Sequence, residues 1–262
     1  MTERQRAIMD HLETAPACTY GELASLFDVS TMTIRRDAGE LARAGALIKT
    51  LGGVQKTPEP ASSLHEGSLL SRMAEHRGEK QAIARTAIGL VEPGTTVFLD
   101  GSSTCLELAR LIGRGTAGLT VLTNSLMVCR ELANGDGITV IGLGGEFDRA
   151  SLCFVGASCE EEAGTYSPDL AVVSTKGFIP REGTFESFMP MMRVKRIMAR
   201  NARRVVLLVD HSKFGRRALR KALDTSLISD VVTDRAAPAA GLDQLRRLGK
   251  NVLVADATGR SS

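Results

Sequence analysis

Apolar residues in the first fifty positions recur at helical spacing in three short runs, each opened by a residue able to cap a helix. Thr2-x-x-Gln5 is a capping-box pattern ahead of Ile8, Met9 and Leu12. Pro16 closes that run, and Thr19-Tyr20-Gly21-Glu22 opens the next, which carries Leu23, Leu26 and Phe27. After a turn at Asp28-Val29, Ser30 is placed to cap a third helix with Ile34, Ala38 and Leu41 on one face, ending near Gly45. Leu47-Ile48-Lys49-Thr50 then reads as a strand, turned by Gly52-Gly53.

The pattern changes after residue 54. Lys56-Thr57-Pro58-Glu59-Pro60-Ala61-Ser62-Ser63 holds two prolines and little to bury, as a linker does. A charged stretch at 72–80 leads into a helix with Ile83, Ala87 and Leu90 inside. From residue 95 one unit repeats: a short apolar strand, a polar or glycine-bearing loop, and usually a helix. The strands are expected at 96–100, 119–122, 138–142, 170–174, 205–210, 231–233 and 252–255. Near-continuous Val, Ile and Leu runs between helical patterns predict an open, mostly parallel α/β sheet covered on both faces. The expected domains are a winged helix-turn-helix at 1–57, a linker at 58–74 and an α/β domain at 75–262.

Composition narrows the class. The 262 residues are 43% hydrophobic and 24% charged, enough for sizeable cores. No stretch approaches the ~18 apolar residues of a membrane span, and the N-terminus has no apolar block of a secretion signal, so a cytoplasmic protein is expected. The five cysteines are scattered and never spaced as C-x-x-C, and no two of the four histidines fall at helix-face spacing. Free thiols, no metal site and no cofactor are expected. The net charge of +3 does not by itself imply nucleic acid, since residues 1–57 carry seven basic and seven acidic side chains. An argument for DNA has to rest on where the charges sit.

They sit favourably on the third helix. Thr31, Thr33, Arg35 and Arg36 face away from the Ile34/Ala38/Leu41 stripe, below the Ser30 cap. Such a helix fits the major groove, where Arg can give two hydrogen bonds to a guanine edge and Thr can touch a phosphate or a thymine methyl. Lys49 on the wing adds a charge. Taken alone, the Arg35-Arg36 pair is equally a solvated helix face.

The α/β half places polar clusters after its strands: Asp100-Gly101-Ser102-Ser103-Thr104, Thr123-Asn124-Ser125, Gly144-Gly145, Lys176-Gly177, and Asp210 with Lys213. Small hydroxyl residues leading into a helix form an anion site, because free N–H groups and the helix dipole point at the ligand. Ligands of open α/β sheets bind beyond the carboxyl ends of the strands, so these loops are expected to meet at one pocket. The Arg- and Lys-rich stretch 193–221 reads as a solvated face.

Val29-Ser30-Thr31-Met32-Thr33-Ile34-Arg35-Arg36-Asp37, with Leu41, Gly45 and Leu51-Gly52-Gly53-Val54, resembles the signature of the DeoR family of sugar-operon regulators. Glu3-Arg4-Gln5, Ile8 and Glu22-Leu23-Ala24 match its first two helices. The α/β half is similar to the family's effector domain through Glu79-Lys80, Asp100 with Thr104, Thr123-Asn124-Ser125, Gly144-Gly145, Ser151 with Val155-Gly156, Lys176-Gly177, Val194-Lys195 and Asp210-x-Ser212-Lys213-Phe214. The resemblance implies a fold like that of ribose-5-phosphate isomerase and an effector that is a phosphorylated sugar or a derivative of one. It implies that Ser102, Ser103 and Thr104 hold the phosphate, with Lys176 as charge partner and Lys195 in the same site. Two departures stand out: Ala38 where the family has a bulkier residue, followed by Gly39 within the helix, and Ser102-Ser103 where it more often has Gly-Thr.

The function expected is a DNA-binding regulator, not an enzyme, that represses a carbohydrate uptake or catabolic operon. Its partners are double-stranded operator DNA, the effector and further copies of itself as a dimer or tetramer, with no membrane. Two alternatives stay open. One is a sugar-phosphate isomerase using Asp100, Glu186, Lys176 and Lys195; the other is a DNA-binding protein whose α/β domain only oligomerises.

Overall fold

The computed structural model describes residues 2–14, 17–43, 46–56 and 68–255. The chain forms two compact units, Met1–Ser63 and Leu64–Ser262.

The first unit is three helices and a small sheet: α1 (Glu3–Thr14), β1 (Ala17–Thr19), α2 (Tyr20–Leu26), α3 (Thr31–Arg43), β2 (Leu47–Lys49) and β3 (Gly53–Lys56). Its helix starts follow the capping residues. Thr2 and Gln5 exchange side-chain and backbone bonds, as do Thr19 and Glu22, and Ser30 Oγ accepts the Thr33 N–H at 3.2 Å. Pro16 and Gly45, expected to end helices, lie outside the described residues. Ile8, Leu12, Leu23, Ile34, Ala38, Leu41, Leu47 and Val54 form the core. Leu26, grouped with Leu23 by spacing, is exposed instead.

The sheet has the order β1-β3-β2, and β1 had no counterpart in the sequence reading. It depends on Gly53, where a Cβ would lie 2.1 Å from the Cys18 carbonyl oxygen. A half-buried polar tie sets α1 against α3: Arg4 Nε donates to Asp37 at 2.6 Å, and Gln5 Nε2 donates to Glu40 at 2.6 Å. Asp37 is buried although its neighbours Arg35 and Arg36 are exposed.

The second unit begins within the stretch expected to be linker. Residues 57–67 lie outside the description, but Leu69–Ala74 is a helix, α4, capped by Ser68. Leu69 is buried, and its N–H bonds the Ala150 carbonyl at 2.9 Å. Then come α5 (Arg77–Ala87), β4 (Thr96–Leu99), α6 (Ser103–Gly115), β5 (Leu119–Thr123), α7 (Leu126–Leu132) and β6 (Ile138–Gly142). A hairpin of β7 (Glu146–Asp148) and β8 (Cys153–Val155) leads to α8 (Ala157–Gly164) and β9 (Leu170–Ser174). Next are β10 (Gly177–Ile179), β11 (Gly183–Glu186), α9 (Met189–Asn201), β12 (Arg204–Leu208) and β13 (Arg220–Lys221). The described part ends with β14 (Asp230–Asp234), α10 (Ala239–Arg247) and β15 (Asn251–Ala255).

All seven expected strands join one parallel sheet of order β15-β14-β12-β9-β4-β5-β6. Every residue of β9 is buried, as its apolar run requires at the centre of a sheet covered on both sides. One core cluster joins α5, α6 and α7 to one face, and a second joins α8, α9 and α10 to the other. From β4 the chain winds outward through β5 and β6, then returns to lay β9 on the other side of β4. The strand order therefore reverses between β4 and β9, where doubly wound sheets leave a crevice at their carboxyl ends. No helix among the described residues is long and apolar enough to cross a membrane.

Gly39 lies within α3, and a Cβ there meets nothing within 4 Å. Glycine in a helix interior costs roughly 0.5–1 kcal/mol against alanine. Gly39→Ala should therefore stabilise the first unit by about that amount in urea melts. Destabilisation would show that the position is not an unstrained helical one.

Candidate functional site

Each unit carries one candidate surface. On the first, Thr31, Arg35 and Arg36 are exposed on α3, and Lys49 is exposed on β2. Ser30 and Thr33 are partly occupied with each other, their hydroxyl oxygens 2.9 Å apart. Arg36 makes only a loose contact with Glu40, at 3.9 Å with its side chain 85% exposed. Arg35 lies over the Tyr20 ring, 5.1 Å from its centroid, which orients the guanidinium without neutralising it. A shallow surface depression brings Ser30, Thr33, Arg35 and Arg36 together with Thr2, Arg4 and Met32.

On the second unit the crevice between β4 and β9 is an open cleft. The turn after β4 supplies Asp100, Gly101, Ser102, Ser103 and Thr104, and the end of β9 supplies Ser174, Thr175 and Lys176. Lys195 comes from α9, and Asp210 with Lys213 from the turn after β12. Gly101 has to be glycine, since a Cβ would lie 2.1 Å from Cys153 Sγ. Ser102 Oγ is spent on capping α6 through the Cys105 N–H. The Ser103 and Thr104 N–H groups have no acceptor among the described residues, as expected in the first turn of a helix.

Beneath this turn lies a buried charge cluster. Lys195 Nζ donates to Glu186 and the Ser174 carbonyl and sits 3.1 Å from Asp100 Oδ2. Asp100 also accepts the Ser102 N–H at 3.0 Å and the Ser174 N–H at 2.9 Å. Burial alone would raise the Asp100 carboxyl, but Lys195 and those hydrogen bonds hold it below the ordinary carboxylate range. Burial likewise opposes the Lys195 charge, but Glu186 and Asp100 prevail and push it well above the ordinary lysine range. Lys195 thus belongs to two internal carboxylates.

Several expected residues do not line the cleft. Thr123 Oγ1 donates to the Leu99 carbonyl, Ser125 caps α7, and Asn124 Nδ2 donates to the Phe154 carbonyl. The β7–β8 hairpin covers this strand end, with Phe154 N bonded to the Asn124 carbonyl. Gly144 N–H bonds Glu162, Gly145 (φ +137°) packs on the Val155 carbonyl, and Gly177 pairs with Phe185 across β10 and β11. These loops follow strands away from the reversal or serve the small sheets, so the strand ends do not all converge.

Other lining residues were not anticipated: Arg72, Glu75, Lys80, Ser151, Phe188 and Met191. Arg72 projects from α4, and its Nε is buried with no hydrogen-bond partner among the described residues. Lys80 donates to the Arg72 and Glu75 carbonyls at 2.5 and 2.6 Å, tying α4 to α5, and burial lowers its pKa. Ser174 and Thr175 were within reach of the strand-end rule; Arg72 was hidden in a charged run that resembles surface. The basic stretch 193–221 is largely paired, with Arg193 on Glu160, Arg203 on Asp169, Arg204 on Asp230 and Arg217 on Glu182.

Residues 4–58 match the DeoR-like helix-turn-helix domain, and residues 75–235 match the DeoR C terminal sensor domain. The chain belongs to the DeoR family. It is similar to the HTH-type transcriptional repressor GlcR of Bacillus subtilis, 31% identical over 97% of this chain and 96% of that protein. It is also similar to the L-fucose operon activator of Escherichia coli K12, 29% identical over 91% of this chain and 97% of that one. Among solved structures, ribose 5 phosphate isomerase A from Neisseria gonorrhoeae aligns over 52% of each chain, at 16% identity and a TM-score of 0.40. As a DeoR-family protein the chain is a DNA-binding transcriptional regulator with a sensor domain.

The charge cluster sets the pH response of that domain. Asp100 titrates lower folded than unfolded, so its contribution is present above about pH 4 and lost as pH falls through the folded value. Lys195 titrates higher folded, so its contribution is complete below about pH 10 and lost as pH rises through its folded value. Lys195→Met leaves Asp100 and Glu186 buried without their cation and should cost about 3–5 kcal/mol at pH 7. The deficit should shrink towards pH 4.5, where a carboxyl can take up a proton on folding. An equal deficit at both values in urea melts would show that lost packing, not charge, is responsible.

Proposed function

We propose that this DeoR-family regulator represses a carbohydrate operon and that a phosphorylated sugar or close derivative, bound at the β4–β9 crevice, releases it from DNA. The observation that carries the effector assignment is the start of α6. Two unclaimed N–H groups and the Ser103 and Thr104 hydroxyls line a cleft whose rim holds Arg72, Lys176 and Lys213. A phosphate dianion calls for this combination of main-chain donors and charge. Arg72 Nε, buried with no partner among the described residues, has in such an anion the acceptor those residues do not supply. Lys176, Lys213 and Arg72 are the charge partners in this reading, and Lys195 supports the turn from below. Thr123, Asn124, Ser125, Gly144, Gly145 and Gly177 leave the ligand set.

The chemistry of the site supports sensing rather than turnover. An isomerase needs a carboxylate and an acid poised near neutrality. Asp100 and Lys195 are shifted away from neutrality in opposite directions. On the DNA side, Arg36, Arg35, Thr31 and Thr33 read the major groove while Ser30 and Lys49 meet the backbone. One winged helix covers few base pairs, so the working unit is a homo-oligomer, at least a dimer, binding repeated half-sites.

Arg36→Ala should weaken binding to a duplex from the protein's own promoter region by about 1–3 kcal/mol at fixed salt, with folding unchanged. Fluorescence anisotropy should show two or more chains per wild-type complex. Unchanged affinity would remove α3 from the groove, and one chain per duplex would remove the oligomer.

Sugar phosphates, screened against their free sugars, should raise the melting temperature where the free sugars do not. The active compound should also lower the affinity for that duplex. Ser103→Asp sets a carboxylate at the start of α6 and should abolish both responses while leaving basal DNA binding intact. Equal shifts from both members of every pair would discard the phosphate reading. Conversion of the active compound to an isomer, followed by NMR, would replace sensing with catalysis.

A further inference from the structure

The four histidines are far apart in sequence, yet the fold brings two of them together beside an acidic residue. His76 precedes α5, Glu79 lies in its first turn, and His211 stands in the short turn after β12. One ligand atom from each lies within 4.8 Å of the others. The His76 and His211 rings are nearly perpendicular, their centroids 5.1 Å apart.

We infer that His76, Glu79 and His211 form a binding site for a divalent transition-metal ion of the zinc class.

The state of each group argues for it. Asp234 is buried and fixed by backbone N–H groups from His211 at 2.7 Å and Ala236 at 3.0 Å. Its Oδ2 lies 2.9 Å from His211 Nδ1. A carboxylate there accepts a hydrogen bond from Nδ1–H and leaves the lone pair on Nε2, the tautomer and orientation that metal-binding histidines commonly owe to such a partner. His76 sits at the cap position of α5 but makes no capping bond, so its imidazole is not committed to the helix. Glu79 has no hydrogen bond or ion pair among the described residues.

Two imidazole nitrogens and one carboxylate oxygen suit zinc and its neighbours, whereas magnesium and calcium favour all-oxygen sets. Ligand atoms around tetrahedral zinc lie about 3.4 Å apart at ~2.1 Å bond lengths, so side-chain rotation of an ångström or so closes the set. Three protein ligands leave a fourth position for water or an outside ligand. The site borders the cleft, because Glu75, Lys80, Asp210 and Lys213 flank the three ligands in sequence and line it. A bound ion would cross-link the start of α5 to the turn after β12.

The test uses the full chain without a histidine tag, stripped with a chelator. Zinc, followed by calorimetry, should bind at one ion per chain. Cobalt should give visible d–d bands without thiolate charge transfer, since burial keeps the Cys153 and Cys159 thiols protonated, at about 12 and about 11. His76→Ala, which also loses the ring contact with His211, and Glu79→Gln should each weaken zinc binding at least tenfold, with each metal-free chain still unfolding cooperatively in urea. Magnesium should not bind at the same site. Less than one zinc per chain, a thiolate band, or wild-type affinity in both variants would overturn the assignment.

Discussion

Where the strand order reverses, Asp100 accepts N–H groups from both Ser102, in the turn after β4, and Ser174, the last residue of β9. Two neighbouring strands are thereby held at their carboxyl ends by one side chain, and the turn into α6 is set by the same bond. A buried carboxylate of this kind persists only with a cation beside it. Lys195 supplies that from α9 and carries Glu186 of β11 into the cluster. Four elements are thus positioned by one ion cluster, and the surface above it is left with main-chain donors. The cost is that Lys195, the deepest cation of the cleft, is committed inward, so charge directed at a ligand has to come from the rim.

The DNA-binding unit solves a similar problem on a smaller scale. Its sum of charges is neutral, yet the acidic residue of the Arg35-Arg36-Asp37 run turns inward and is matched by Arg4 from α1. Within that run only the two arginines remain outside. The Tyr20 ring under Arg35 then limits how far that guanidinium can wander before DNA arrives. A side chain held near its working geometry loses less entropy on binding.

Local signals in the sequence were sufficient for much of this. The three capping residues of the first unit make the bonds their spacing implied, and all seven apolar runs became parallel strands. What escaped detection depends on contacts distant in sequence. The β7–β8 hairpin and the β10–β11–β13 sheet use strands of two to four residues, too short for a period to show. Helix α4 is six residues long, and only Leu69 and the Ser68 cap mark it, so Arg72 stood in what read as linker. The assumption that every strand end faces one pocket failed at Thr123–Ser125 because a hairpin, invisible in the pattern, roofs that end of the sheet. The pairing of His76 with His211 is likewise a product of topology, joining residues on opposite sides of nine strands in the chain order.

The free amides at the start of α6 belong to the peptide backbone, and this bears on how such a protein diversifies. An anchor made of main chain is indifferent to most side-chain replacements, provided the helix still begins at Ser102. The cleft walls contributed by Phe188 with Met191, by Ser151 and by Arg72 come from three separate segments and can change one at a time. Under the proposed assignment, such a scaffold can change the part of the metabolite it distinguishes while keeping its grip on the phosphate.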